Sequence, residues 1–187
     1  AQSACELTTY RSANRKSFAS KVYLPGDTPD EHRGKGQVGG ACLRLVRTIF
    51  DRNNSDANAE LVLGEVVTLP GRWSSYPPHK HDTDRLPLET RHDETYNFRF
   101  RPARGFGLQL VQREDGQGGD AYHIVNGSTI ILDKGYHPCV AAPGYESQLG
   151  HYFLRIGTGD AASTPLPGLL VSYDTPVAAA SAQIWDI

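Results

Sequence analysis

Cysteine is scarce in this chain, and neither a long apolar run nor a strong net charge is present. The three cysteines, Cys5, Cys42 and Cys139, lie far apart without a repeated spacing, which excludes a disulfide framework and a cysteine zinc cluster. No stretch approaches the roughly 20 apolar residues that a membrane helix needs. Nineteen basic and 21 acidic residues leave a formal net charge of −2, so no global field attracts nucleic acid or an anionic membrane. We therefore expect a soluble, cytoplasmic protein that binds neither.

Glycine and proline are frequent, with 19 and 12 residues respectively, which favours short strands joined by turns over long helices. Strand-like runs recur along the chain without a sustained 3.6-residue periodicity between them, and this pattern is typical of an all-β sandwich or barrel. The predicted strands are 43–50, 60–69, 95–101, 106–113, 121–125, 129–132, 137–142 and 151–156.

The composition divides the chain into three parts. Residues 1–40 are polar and rich in turn residues, with a weak extended signal at 18–24, and we interpret them as an arm or the remnant of another domain. Residues 41–160 carry the predicted strands and form the barrel. Residues 161–187 are a tail in which one apolar run, 169–173, is a candidate edge strand.

The densest chemical signal is the segment that contains His79, Lys80 and His81. Residues two apart on a strand face the same side, so the two imidazoles can point into one interior while Lys80 faces away. Such a pair suits metal binding. The alternative is that both histidines are partly exposed at the start of a strand and bind no ion.

Glu94 and His137 are the candidate partners for these histidines. Alternation places Glu94 on one face with Tyr96 and Phe98, and a carboxylate in an apolar, aromatic interior is costly unless a cation compensates its charge. His137 follows a glycine turn at the head of a strand, where a hydrogen-bonded buried histidine is the alternative. Three imidazoles and one carboxylate would form an open site for one divalent ion.

Several blocks of the sequence carry a resemblance to a known family. The longest is Trp-Ser-Ser-Tyr-Pro-Pro-His-Lys-His-Asp at 73–82, and the others lie at 64–67, 94–96, 105–109, 135–138 and 141–145. Together they resemble the 5-deoxy-glucuronate isomerase family of myo-inositol catabolism, within the cupin superfamily. The resemblance covers roughly residues 60–159 and implies a cupin jelly-roll, or double-stranded β-helix. Members are longer, two-barrel chains, so residues 1–40 are expected to be a partial arm or a remnant of the second barrel.

The resemblance implies an aldose–ketose isomerase that moves a carbonyl between C1 and C2 of an open-chain deoxy-uronate. The implied cofactor is one divalent ion, with Zn²⁺, Mn²⁺ and Fe²⁺ preferred, and the implied partner is a small anionic sugar acid. The predicted metal ligands are His79, His81, Glu94 and His137. The predicted catalytic residues are Glu94, Tyr96 and Gln109, the predicted substrate-binding residues are Arg99, Tyr136 and Lys80, and the candidate bases are Glu89, His92 and Asp93.

Two of these assignments conflict with strand alternation. Arg99 is suited to a carboxylate by its guanidinium, yet its position relative to Glu94 turns it outward. Tyr136 is adjacent to His137 and is expected on the opposite face unless the turn brings it inward. In addition, the sequence has Asp133 and Lys134 where the family usually has Pro-Arg, and Arg155 where an asparagine is expected. These departures concern the substrate pocket more than the metal ligands.

Two other functions remain open from the sequence. A cupin with three histidines and one glutamate can be an iron-dependent dioxygenase, because a fold does not fix a reaction. A shortened cupin can also bind a sugar acid without turning it over. A homodimer is a further expectation, since a single barrel leaves sheet edges exposed.

Overall fold

The structure is a computed structural model that describes residues 4, 7–14, 16–51, 56, 58–85, 88–113, 118–156 and 172–173. Short 3₁₀ turns lie at Pro25–Asp27 and Gln37–Gly40, and the rest of the regular structure in these ranges is extended. The strands are β1 (Glu31–Arg33), β2 (Arg44–Phe50), β3 (Leu61–Thr68), β4 (Trp73–Ser74), β5 (His79–Lys80), β6 (His92–Arg101), β7 (Phe106–Gln112), β8 (Gly119–Val125), β9 (Thr129–Leu132), β10 (Cys139–Ala141), β11 (Glu146–Ile156) and β12 (Ser172–Tyr173).

The strands form two main antiparallel sheets. One has the order β1-β2-β3-β11-β6-β9 and the other has the order β4-β10-β7-β8, while β5 pairs with β12. The chain passes repeatedly from one sheet to the other, so strands that are close in sequence face each other across the interior. This arrangement is a cupin jelly-roll, and the prediction of an all-β cupin fold is confirmed.

Strand β6 illustrates how the sequence specifies the interior. Its residues alternate between buried and less buried positions, with Tyr96, Phe98 and Phe100 on the buried face. These rings pack with Ile124, Leu132 and other apolar side chains into one core between the sheets. Burial of each large apolar side chain contributes about 1.5–3 kcal/mol, so the aromatic face of β6 fixes the register of the strand.

The predicted N-terminal arm contributes a strand to the larger sheet. Glu31–Arg33 pairs antiparallel with β2, with His32 opposite Leu45, whereas the weak extended signal at 18–24 corresponds to no strand. A three-residue strand whose neighbour lies 11 or more residues away leaves no periodic pattern in the sequence.

The predicted tail, 161–187, lies outside the described residues except for Ser172–Tyr173. These two residues pair with Lys80 and His79 respectively, and they fall within the apolar run that the sequence marked as an edge strand. The domain boundaries at 40 and 160 remain predictions. Among the described residues, none forms a helix with the length and apolar character needed to cross a membrane.

Candidate metal centre

The segment that contains His79 and His81 lies at the junction of the two sheets. The backbone N–H of His137 donates to the carbonyl oxygen of His79 at 3.3 Å, and the backbone N–H of His92 donates to that of His81 at 2.9 Å. His137 lies two residues before strand β10 of the smaller sheet, and His92 begins β6 of the larger sheet. Backbone pairing therefore holds the two histidines between the sheets.

Four side chains converge at this junction. Ligand nitrogens of His79, His81 and His137 all lie within 4.8 Å of one another. The Oε2 atom of Glu94 lies 3.0 Å from Nε2 of His81 and 3.2 Å from Nε2 of His137. All four residues are buried. The set of three imidazoles and one carboxylate matches the ligands that divalent transition metals prefer.

Backbone carbonyl groups orient two of the imidazoles. Nδ1 of His81 lies 3.1 Å from the carbonyl oxygen of His92, and Nδ1 of His137 lies 2.9 Å from that of Gly135. A carbonyl oxygen only accepts hydrogen bonds, so each Nδ1 carries a proton, and each Nε2 is the ring nitrogen left for the carboxylate of Glu94 or for a metal ion. Gly135 has a φ of +78°, and a Cβ there would lie 2.7 Å from the carbonyl oxygen of Gln112. The turn that orients His137 therefore requires glycine.

The electrostatics of the centre favour a cation. Burial, with the neighbouring His137 and His81, lowers the pKa of His79 well below its ordinary value. Burial opposes ionisation of Glu94, but hydrogen bonds from His137 and His81 outweigh it and lower the pKa of this carboxyl. Burial also lowers the pKa of His81, yet the hydrogen bond to Glu94 reverses the effect and raises it. Without a metal ion, the raised pKa of His81 favours a proton on its Nε2, hydrogen-bonded to Glu94, and a bound ion would displace that proton.

Two predicted catalytic residues, Tyr96 and Gln109, adjoin the centre. The hydroxyl of Tyr96 lies 2.8 Å from Oγ of Ser75, and burial together with the charge of Glu94 raises the pKa of this phenol well above its ordinary value. Nε2 of Gln109 donates to the carbonyl oxygen of His137 at 2.8 Å. Within the described ranges, Oε1 of Gln109 is buried and has no hydrogen-bond partner.

Lys80 faces away from the imidazoles, as strand alternation predicts, but it is completely buried. Its Nζ lies 2.7 Å from Oδ1 of Asp82 and 3.2 Å from both carboxylate oxygens of Glu89. Glu89 also accepts hydrogen bonds from the backbone N–H groups of Asp82 and Thr83. Lys80 and Glu89 are therefore placed in a buried ion-pair network behind the histidine segment, although the sequence proposed them for substrate binding and for proton transfer.

The other proposed substrate-binding residues are Arg99 and Tyr136. Arg99 is half-buried on the face of β6 opposite Glu94, where Nη1 donates to the carbonyl oxygen of Phe98 at 2.9 Å. Burial raises the pKa of Tyr10 in the N-terminal segment, and the charge of Arg99 partly opposes this shift. Tyr136 is half-buried and exchanges two backbone hydrogen bonds with Gln112.

The two remaining base candidates differ in orientation. Asp93 is exposed on the outer face of β6. His92 is buried on the same face as Glu94, and its Nδ1 lies 2.7 Å from the carbonyl oxygen of Thr90. Burial, reinforced by the charge of His81, lowers the pKa of His92 to about 3, so its ring stays neutral at ordinary pH.

Arg44 is a buried charged residue that no motif in the sequence indicated. This arginine begins β2 and is only 4% exposed, and its Nη1 donates to the carbonyl oxygens of Cys42 and Tyr76 at 3.1 Å each. The alternation of Arg44 with buried Val46 is the signal that could have indicated its inward orientation.

A jelly-roll whose interior brings three histidines and a glutamate together defines this chain as a cupin with a candidate mononuclear metal centre. Within the cupins, similarity to known proteins assigns the chain to one family. The sequence profile of the KduI/IolB family matches residues 1–163, and the chain belongs to this family.

Two curated relatives carry the same name. The chain is 38% identical over 146 residues to the 5-deoxy-glucuronate isomerase of Halalkalibacterium halodurans, covering 78% of this chain and 51% of that protein. It is 38% identical over 156 residues to the 5-deoxy-glucuronate isomerase of Shouchella clausii, covering 83% and 54% respectively. The chain thus spans about half the length of the curated relatives it matches.

A solved structure supports the same relationship. An IolB-like protein from Salmonella typhimurium LT2 superposes with a TM-score of 0.66 at 33% sequence identity, covering 80% of this chain and 51% of that chain. The fold described here is therefore shared with a structure from the same family.

Proposed function

We propose that His79, His81, Glu94 and His137 bind one divalent ion, with Zn²⁺, Mn²⁺ and Fe²⁺ preferred, and that this centre serves an aldose–ketose isomerase. The proposed substrate is 5-deoxy-glucuronate, an intermediate of inositol catabolism. One observation carries the proposal: Oε2 of Glu94 lies within 3.2 Å of Nε2 of both His81 and His137, in a member of the KduI/IolB family.

The four ligands and their surroundings suit this chemistry. When bound, the ion supplies Lewis acidity that polarises the carbonyl and adjacent hydroxyl of an open-chain sugar. The backbone carbonyls of His92 and Gly135 orient the His81 and His137 rings before binding, so little reorganisation is needed.

Tyr96 and Gln109 complement the ligands in this proposal. Because its pKa is raised, the Tyr96 phenol stays protonated and donates a hydrogen bond to a substrate oxygen on which negative charge develops. Gln109 fixes the backbone of His137 through Nε2. Its buried Oε1 is an acceptor that a substrate hydroxyl can reach.

The test is direct conversion of 5-deoxy-glucuronate by metal-loaded protein, followed by NMR of the 2-keto product. We expect conversion that depends on the metal, and we expect Glu94→Gln and His137→Ala to lose both metal uptake and turnover. His32→Ala is the matched control, since this histidine is exposed on β1.

Each contrary outcome has a distinct meaning. Full metal occupancy without conversion would overturn the isomerase assignment, and binding of the sugar acid without turnover would favour the non-catalytic alternative. Oxygen consumption by the iron-loaded protein would favour the dioxygenase. Equal metal uptake by all three variants would overturn the ligand assignment.

A further inference from the structure

Arg44 places a positive charge inside the jelly-roll. Arg44 is 4% exposed, and its Nη1 donates hydrogen bonds to the carbonyl oxygens of Cys42 and Tyr76. A buried guanidinium is costly to desolvate, and burial is the largest cause of the lowered pKa of Arg44. An anion bound in the interior would offset this cost.

Two buried hydroxyl groups belong to the same corner of the fold. Thr68 is the register partner of Arg44 in the β2–β3 pair, so both side chains stand on the same face about 5 Å apart at their Cβ atoms. Ser74 is the last residue of β4, which belongs to the smaller sheet and follows the turn after β3. Both residues are 1% exposed, and within the ranges that the structure covers neither Oγ1 of Thr68 nor Oγ of Ser74 has a hydrogen-bond partner.

The corner is directly connected to the candidate metal centre. Tyr76, whose carbonyl oxygen binds Arg44, lies three residues before His79 in the same connecting segment. Ser75 of this segment contacts the Tyr96 hydroxyl at 2.8 Å. The charge of Arg44 contributes to the lowered pKa of His79, and Tyr96 is among the groups that act on the pKa of Arg44. The guanidinium, the two hydroxyls and the four ligands therefore share one interior.

We propose that Arg44, Thr68 and Ser74 form the subsite that binds the carboxylate of the substrate, while the carbonyl end of the same molecule lies at the histidine–glutamate centre. This inference rests on the proposed function, since it assigns a role within the same site. Such a subsite would make the protein specific for sugar acids over neutral sugars.

The chemistry of the three groups matches a carboxylate. A guanidinium and two hydroxyls offer several donors to the two oxygens of one anion. A carboxylate at one end and a carbonyl with an adjacent hydroxyl at the other would fix the orientation of an open-chain acid. Arg99, on the opposite face of β6, has no comparable access to the interior.

The experiment compares Arg44→Gln with the metal-loaded wild-type protein. Binding of 5-deoxy-glucuronate, D-glucuronate and the neutral 5-deoxy-glucose is measured by calorimetry, and turnover is measured by NMR. Loss of a hydrogen-bonded charge pair reduces affinity by about 10- to 100-fold, so we expect that loss for both acids and an unchanged affinity for the neutral sugar. Arg101→Gln is the control, because this arginine is exposed at the end of β6.

Two further variants keep the inference testable if Arg44→Gln does not fold. Thr68→Val and Ser74→Ala remove one hydroxyl each, and we expect each to weaken the binding of acids selectively while metal stoichiometry stays at the wild-type value. Equal loss of affinity for the acids and the neutral sugar, or no loss in any of the three variants, would overturn the subsite.

The outcomes separate this inference from the proposed function. Binding of sugar acids that depends on Arg44, without turnover, would support the subsite and overturn the isomerase. Turnover that is insensitive to Arg44→Gln, Thr68→Val and Ser74→Ala would support the isomerase and overturn the subsite. Absence of sugar-acid binding to the metal-loaded wild-type protein would overturn the subsite as well.

Discussion

Asp82 accepts a hydrogen bond from the backbone N–H of Gly135 at 2.7 Å through Oδ2. This contact joins the segment after His81 to the turn before His137, although 53 residues separate the two partners in sequence. The other oxygen of the same carboxylate binds Lys80. One side chain therefore couples the two parts of the chain that carry the candidate imidazole ligands.

Replacement of Asp82 by alanine tests this coupling. We expect metal affinity to fall by about 10- to 100-fold, which is the usual effect of losing a group that positions a ligand. Zinc affinity is measured by competition with a chelating dye. Asp93→Ala is the matched control because Asp93 is exposed on the outer face of β6, and an equal loss in both variants would contradict the coupling.

Lys80→Met tests the buried ion pair with Glu89. Removal of Lys80 takes away the buried cation that contacts both carboxylate oxygens of Glu89 and leaves the more distant, half-exposed Arg85 at 3.5 Å. Breaking a buried pair costs about 3–5 kcal/mol. We expect chemical denaturation to show a destabilisation of this size, partly recovered in the double variant Lys80→Met with Glu89→Gln. A double variant less stable than Lys80→Met alone would show that the Glu89 contacts with Asp82 and Thr83 dominate.

Removal of the metal provides a third test. A ligand that binds only the folded state at 1,000 times its dissociation constant stabilises that state by about 4 kcal/mol. We expect zinc to raise the thermal unfolding midpoint of the wild-type protein and of His32→Ala. The same addition should leave Glu94→Gln unchanged. A zinc-induced shift of equal size in Glu94→Gln would indicate binding elsewhere.

Gln109→Leu tests how the smaller sheet supports His137. The variant removes the donor to the carbonyl oxygen of His137 and leaves this buried acceptor without the bond, so we expect a destabilisation of about 1–3 kcal/mol. Metal affinity should also decrease because the His137 backbone is less restrained. Asn97→Ala removes an exposed amide that binds Thr129, and its stability should remain within about 0.5 kcal/mol of wild type.

The sequence predicted those features that depend on strand periodicity. Alternation along β6 correctly placed Tyr96 and Phe98 in the interior, and the spacing of His79 and His81 anticipated that both imidazoles face one centre. Most long strands were predicted within a few residues of their observed ends, because their apolar faces carry the signal.

The features that the sequence did not reveal depend on partners distant along the chain. The burial of Lys80 depends on a carboxylate nine residues away, and the inward orientation of Arg44 depends on a carbonyl 32 residues away. A charged side chain in isolation is expected to be exposed, and only the folded chain identifies the groups that compensate its burial. Strands β1 and β4 were missed because two or three residues carry no periodicity.

The position of the four candidate ligands across both sheets has a kinetic consequence. Glu94 belongs to the larger sheet, whereas His137 leads into the smaller one. An ion bound by both residues would dissociate only after one of them moves away from the other. The dissociation rate of zinc would then report the rate at which the jelly-roll opens transiently. Isotope exchange of the bound ion would measure the frequency of this opening at equilibrium.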